Sequence, residues 1–391
     1  MKSHLKYYAI NRKLMSAVGQ WPYQSPYARV LFASNALFAV GTKYLLQTCA
    51  LIASWTDWDM VIECSSPIVI DILCLAKYFT YVFHLNKIKM LFNTMQDTWT
   101  SFSMDKQTEI LTIYAKEGHR LTRLYATVIY IAMCLYMTLP HVPYVVATVL
   151  KGDKNATRGL LYHVEQIIDV EKYYYYVLLH SYYTTFFLMT IMIASDTMLI
   201  VFIQHACGMF AAIGHQLENV QEDDAIDVNV YPPLPEDDVY HKISDGVAKH
   251  KEALEFSQTL ASTYTGSLFV QTGLNVLVTT FSGVETVIYL NQPEEAFRFG
   301  ITAITLTLHF WFLSVPCQKL IDHSLQLQDC VYLGNWYTIS IKARRLLNLI
   351  QMRSRVPSQI TAGKIYPLSL ETFSTVVRTT MSYFTVLTSL R

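Results

Sequence analysis

Seven stretches of this chain are each mostly apolar over roughly the 20 helical residues needed to cross a hydrocarbon core about 30 Å thick. They lie at about 30–53, 61–85, 124–150, 173–203, 264–291, 297–319 and 368–390. Few folds accommodate such a pattern. Backbone amides in hydrocarbon find no water, so each crossing segment must satisfy them internally as a helix. Composition agrees: 52% of the 391 residues are hydrophobic and 15% are charged, against about 25% charged in an average soluble protein. The expected fold is an all-α integral membrane bundle of seven transmembrane helices, one domain over 1–391. A formal net charge of zero offers no electrostatic footprint for nucleic acid.

Lys and Arg orient the spans. With the N-terminus inside, the cytoplasmic segments hold 21 of them and the outer segments six, which places the N-terminus in the cytoplasm. The first residues, MKSHLKYYAINRKLMSAVGQWPY, are basic and amphipathic without a signal-type apolar core, so they are expected to be retained. Asn155, in the sequon Asn155–Ala156–Thr157, falls outside and is a glycosylation candidate. This orientation is inverted relative to a G-protein-coupled receptor, and neither D-R-Y nor N-P-x-x-Y follows the spans that would carry them. The acidic run 221–238 reads as a flexible, solvated segment. Its flanks, 204–220 and 240–263, look helical. With 319–350, including a helix at about 330–350, they form an expected cytoplasmic base (204–263 and 319–350). The seven cysteines sit mostly in apolar runs without a C-x-x-C pair and read as small apolar residues.

No phosphate loop, H-E-x-x-H, nucleophile elbow or dinucleotide fingerprint occurs. No catalytic residue, metal site or cofactor is therefore expected. Ionisable residues inside spans carry more information, because intramembrane charge is costly and turns toward protein or water. They are Lys43, Asp71, Lys77, Asp196 and Arg378. Lys43 and Lys77 either snorkel to an interface or pair with a carboxylate, and Asp196 is expected to pair with a neighbouring helix. Pro140 and Pro143 can kink the third span. The outer halves of the second, third, fourth and sixth spans are rich in aromatic and polarisable groups, which suit either an apolar ligand pocket or ordinary packing.

In the last span Thr375, Thr379, Ser382, Val386 and Ser389 recur at spacings of four, three, four and three, one small and mildly polar helical stripe. Phe373, Val377, Phe384 and Leu387 make the opposite side bulky. A small stripe lines water or lets helices pack closely; periodicity leaves both open. Val386 and Leu390, one turn apart, can form a hydrophobic ring that closes a pore by dewetting. One stripe cannot enclose a pore, so this reading needs an oligomer.

The C-terminal region from Gly334 and Trp336, through Arg344, Leu346, Leu347, Met352–Arg353, Pro357 and Ala362–Gly363, to Pro367-Leu368-Ser369-Leu370, Glu371-Thr372-Phe373 and Ser382-Tyr383-Phe384 resembles the signature of insect odorant receptors. His215 with Gln216 adds weaker support. The resemblance implies an insect odorant receptor-like channel subunit: four subunits around one pore lined by the seventh helices, cytoplasmic helices making most subunit contacts, and odorants binding in the outer half between the second and sixth spans. Val386 and Leu390 match the family's hydrophobic gate, with Thr379 and Ser382 on the same pore-facing side. Ser389 falls where the co-receptor has a pore-facing glutamine. Gustatory relatives usually end in a T-Y-x-x-x-x-x-Q-F pattern that Ser382–Arg391 lacks, and the co-receptor carries a longer loop before its fifth span. The implied protein is a ligand-tuned subunit of an odorant-gated cation channel in the plasma membrane of an olfactory neuron dendrite. Its partners would be a small volatile ligand, co-receptor subunits and membrane lipid. No motif marks the pocket, so depth and chemistry select Ile72, Leu75, Tyr136, Met137, His180, Tyr183, Phe187, Thr305 and His309. A receptor acting through a cytoplasmic effector and a ligand transporter are the alternatives.

Overall fold

Short polar and proline signals set the helix starts. After a 3-10 segment (Ser3–Tyr8) and α1 (Ala9–Ala17), Ser25 caps α2 (Pro26–Ala53): its Oγ accepts from the Ala28 amide at 3.4 Å. Pro26 occupies the first turn, where its missing N–H costs nothing. There follow α3 (Trp58–Phe83), α4 (Leu85–Ser101), α5 (Asp105–Thr138) and a single turn, α6 (Val142–Val145). The long helices α7 (Val170–Glu218), α8 (Asp238–Ile288) and α9 (Pro293–Leu333) precede α10 (Ile341–Ser354), the two-residue strands β1 (Thr361–Ala362) and β2 (Tyr366–Pro367), and α11 (Leu370–Ser389). The computed structural model describes residues 3–56, 58–102, 104–150, 159–162, 168–220 and 238–389. Asn155, most of the acidic run 221–238, and Leu390 lie outside the described residues.

At the centre runs α7. Every residue from Thr190 to Phe210 is buried, the mark of a helix surrounded by other helices. It packs against α1, α2, α3, α5, α8 and α9. After a kink at Tyr173, where the backbone is non-helical, the run to Glu218 rises more than about 60 Å at roughly 1.5 Å per residue, beyond a hydrocarbon core of about 30 Å, so it continues into the base. Among the described residues six helices are long and apolar enough to cross a membrane: those of α2, α3, α5, α7, α8 and α9. The 20 residues of α11 also reach about 30 Å; its Thr and Ser content makes it less apolar.

Two expectations need correction. The third span, 124–150, is not one helix: α5 stops at Thr138, and residues 139–150 continue as 3-10, one α-turn and π geometry. Pro140 cannot donate and its ring crowds the preceding turn, and regular α geometry is lost at that point. The helix expected over 330–350 is also broken. Gly334 ends α9, a turn follows, and Ser340 caps α10 by accepting from the Ala343 amide at 3.3 Å. Arg344 holds that turn, donating to the Tyr337 and Ile339 carbonyls at 2.7 and 3.0 Å.

At the basal end, which the Lys and Arg distribution assigns to the cytoplasm, buried Gln216 ties three helices together. Its carbonyl oxygen accepts from Gln107 of α5 at 2.5 Å, and its amide donates to the Lys242 carbonyl and Asp245 carboxylate of α8 at 2.8 and 3.1 Å. Lys249 closes the cluster, 2.8 Å from Asp245 and 3.0 Å from Gln107. Beside it, β1 and β2 form an antiparallel hairpin with Ala362 opposite Tyr366. Gly363 (φ +64°) and Lys364 (φ +61°) make its turn, closed by Ile365 N–H donating to the Ala362 carbonyl at 3.1 Å. With Ala362 paired to Tyr366 the loop has three residues, 363–365, and its turn needs positive φ at two of them, which favours glycine at 363. All seven cysteines are free thiols.

Candidate functional site

Five helices converge on one buried polar cluster. Lys77 of α3 sits 2.5 Å from Asp196 of α7, and the Tyr125 hydroxyl of α5 donates to the other Asp196 oxygen at 2.7 Å. His309 of α9 lies 2.6 Å from that hydroxyl through Nδ1; its Nε2 meets Lys77 at 3.2 Å and the Gln271 amide of α8 at 2.9 Å. Because the Tyr125 proton goes to Asp196, consistency across the network assigns the His309 proton to Nδ1, donating to Tyr125. Nε2 then accepts from both Lys77 and Gln271. A second pair, Lys43 of α2 and Asp71 of α3 at 2.7 Å, is equally buried. Both intramembrane lysines therefore pair rather than snorkel, and Asp196 finds its partner on a neighbouring helix.

Between these pairs, toward the outer end, lies a cavity of about 130 Å³. An apolar cavity near 150 Å³ holds benzene, so the space matches one small organic molecule. Its walls are Lys43 and Gln47 of α2, Cys64, Ser66, Pro67 and Ile70 of α3, and Ile129, Ala132, Met133 and Tyr136 of α5. Leu161 and Tyr162 form a cover, Thr185, Leu188, Met189 and Met192 come from α7, and Ser282 comes from α8. Arg298, Thr302, Thr305 and His309 come from α9, so the polar cluster borders the cavity through His309. Three flexible methionines give a wall that adapts to ligand shape.

Of the nine pocket residues selected by depth and chemistry, Tyr136, Thr305 and His309 line this cavity. The other six do not. Ile72 is more than a third exposed on the outside of α3, while Leu75 and Phe187 pack against the core. Met137 offers its carbonyl to Tyr182 at 3.2 Å, and Tyr183 donates to Asn35 at 2.5 Å. His180 stands one layer back, bridging Thr42 at 2.9 Å and the wall residue Tyr162 at 3.2 Å. Depth is readable from sequence, helical phase less so: Ile70 lines the cavity while Ile72, about 200° further round the helix, faces away. The first span, absent from the expected pocket, supplies Lys43 and Gln47. A basic and an amide residue one turn apart in an otherwise apolar helix are the available signal. Among the described residues no cluster of three His, Cys, Asp or Glu side chains could hold a metal ion.

The other feature is α11, where only Thr380 is buried. Thr375, Ser382, Val386 and Ser389 are exposed, Thr379 is half-buried, and Leu390 lies outside the described residues. Phe373 and Phe384 instead turn inward. Phe373 meets Phe310 of α9 with ring centroids 6.0 Å apart. The Phe384 ring lies against Gly283 of α8, where an added Cβ would approach it to 3.2 Å. The bulky side of α11 holds it to its own subunit and leaves the small polar side without cover.

Fold and cavity together define an all-α membrane bundle with a mainly apolar cavity among its helices. The chain belongs to the odorant receptor family: a family model described as 7tm Odorant receptor matches residues 59–381. This is a receptor family, not an enzyme family. Odorant receptor 9a of Drosophila melanogaster is 22% identical over 201 residues, 51% of this chain and 48% of that protein. Odorant receptor Or2 of Anopheles gambiae is 28% identical over 97 residues, 25% of this chain and 26% of that protein. The aligned parts thus span half or less of those relatives' lengths. The structure of the olfactory receptor OR5 from Machilis hrabei in complex with eugenol superposes over 100% of both chains with a TM-score of 0.79 at 14% identity, a likeness of fold.

Proposed function

We propose that this chain is a ligand-tuned subunit of an odorant-gated, non-selective cation channel. It works with co-receptor subunits in the plasma membrane of an olfactory neuron. A small volatile molecule occupies the outer cavity, and α11 lines a conduit shared between subunits. The observation carrying this reading is the uncovered polar side of α11. A helix bearing Thr375, Arg378, Ser382 and Ser389 on one exposed face is costly against hydrocarbon, so that face belongs to water or to another subunit. The eugenol complex of the similar receptor supports a small organic ligand.

The cavity and α11 share two walls. Ser282 lines the cavity and the next residue, Gly283, touches Phe384; His309 lines it and the next residue, Phe310, touches Phe373. A ligand that fits the open arrangement of α8 and α9 better than the closed one shifts α11, by no more than that difference in affinity. Val386 and Leu390 then move apart and the constriction wets.

Single cysteines at Thr379, Ser382 and Ser389 test the conduit. In cells with the co-receptor, a water-soluble thiol reagent is expected to change the odour-evoked current at Ser382 and Ser389 most, with half-buried Thr379 weaker. Three inert positions in working complexes would sink the proposal. Current without the co-receptor, or a response through a soluble effector, would favour the effector reading; uptake of ligand without current would favour a transporter.

Arg378 stands on the same exposed face as Ser382. In water, a unit charge about 8 Å from a permeating ion repels a monovalent cation by roughly 0.5 kcal/mol and a divalent one by twice that. Arg378→Gln is therefore expected to raise the calcium-to-sodium permeability ratio about twofold, less at high ionic strength. Reversal potentials in bi-ionic solutions measure it, and an unchanged ratio removes Arg378 from the conduit.

A further inference from the structure

Most polar atoms of the cavity wall are already engaged. Tyr136 donates to the Leu161 carbonyl at 3.2 Å, Tyr162 meets His180 at 3.2 Å, and Lys43 meets Asp71 at 2.7 Å. Arg298 lies 2.9 Å from Glu295. Three side chains differ. Both amide atoms of Gln47 and the hydroxyls of Ser66 and Ser282 are buried and have no hydrogen-bond partner among the described residues. Their residues are 3%, 4% and 0% exposed, and all three line the cavity from different helices, α2, α3 and α8. A buried, unmatched carboxamide costs free energy on both its donor and its acceptor side.

From this we infer that the receptor's preferred ligands carry a hydroxyl, as alcohols or phenols, held by Gln47 with Ser66 and Ser282 while the hydrocarbon body lies among Ile129, Met133 and Met192. The inference rests on the proposed odorant-receptor function and narrows its ligand class. A hydroxyl both donates and accepts, so it satisfies the carboxamide oxygen and the carboxamide N–H. Ethers, esters and ketones only accept, leaving the Gln47 oxygen unmatched. Charge excludes the ionised alternatives. Lys43 and Arg298 of the wall already have their own carboxylates, so a ligand carboxylate has no free counter-ion and a ligand ammonium would add an uncompensated charge.

Matched triplets on one carbon skeleton test it: an alcohol or phenol, its methyl ether and the parent hydrocarbon, each of about four to seven carbons to suit the volume. Dose–response currents are recorded from cells expressing this chain with the co-receptor. The hydroxyl member is expected to act at about tenfold lower concentration than its ether, the size of one or two net hydrogen bonds. Gln47→Leu is expected to shrink that ratio to about threefold or less, and Ser66→Ala to shrink it in part. The wild-type ratio is informative even where a variant fails to reach the surface. Equal potency of ethers and alcohols across the wild-type series, or a preference that persists in Gln47→Leu, overturns the inference. If esters or hydrocarbons then gate the channel, receptor function stands and only the ligand class falls. If no odorant of any class evokes current while both subunits reach the surface, both fall together.

Discussion

Asp196→Ala is expected to deplete folded receptor sharply. It would strand Lys77, 4% exposed, in the centre of five helices with no carboxylate. Breaking a buried pair from one side costs about 3–5 kcal/mol, a large share of the roughly 5–15 kcal/mol that separates a typical fold from its unfolded chain. Tyr125 would also lose the acceptor it reaches at 2.7 Å, and His309 the arrangement that sets its tautomer. The fraction of tagged receptor eluting as one peak after a heat step in detergent measures the effect, with a midpoint several degrees below wild type expected. The double variant Lys77→Met with Asp196→Leu is expected to recover much of the loss, because removing both charges also removes their desolvation cost. Should Asp196→Ala melt with the wild type, Lys77 has another counter-charge and the network as described is wrong. Because His309 borders the cavity, variants that survive are also expected to shift ligand sensitivity, which separates a scaffold from a tuned wall.

Gly363→Val is expected to have the next largest effect, for a different reason. Gly363 sits at φ +64°, where a side chain costs about 1–2 kcal/mol and a β-branched one more. A Cβ there would also come within 2.7 Å of the Phe269 ring of α8, and relieving such overlap typically costs a further 1–3 kcal/mol or so, about the same as the strain. The two terms separate experimentally. Adding Phe269→Ala relieves the overlap and leaves the strain, so the pair is expected to recover roughly half of the loss. Function should follow stability, because the Gly363 amide donates to the Thr265 carbonyl at 2.9 Å and fixes against α8 the hairpin that leads into α11. Surface labelling together with odour-evoked current would show reduced current per surface receptor. Full current at normal surface density would mean the hairpin does not set the position of α11.

Legibility in the sequence differs from element to element. The crossing helices are legible, because about 20 consecutive apolar residues have one low-energy answer in a bilayer. The glycine and arginine of the C-terminal signature are recognisable as a pattern, but their causes are not. Arg344 closes a turn through the Tyr337 and Ile339 carbonyls, and Gly363 allows the close approach of β1 to α8. The second depends on a contact far apart in sequence. The change from α to 3-10 geometry after Thr138 begins next to Pro140, which supplies no donor.

Pocket residues are the hardest to read. Depth in the membrane follows from counting along a span, and of the residues selected that way Tyr136, Thr305 and His309 stand on the cavity wall. Which side of a helix meets a cavity depends on how seven packed helices rotate against one another, and a shift of one residue turns a side chain by about 100°. A chain rich in apolar residues on every side carries no periodic signal to set that rotation. Amino-acid order alone thus determined that this protein spans a membrane as helices, which family it belongs to, and that its last helix has one small polar side. Tertiary packing alone decided that Lys77 and Asp196 meet, that Gln47 faces a chamber, and that the polar side of α11 is uncovered, since each is a relation between surfaces that no single segment contains.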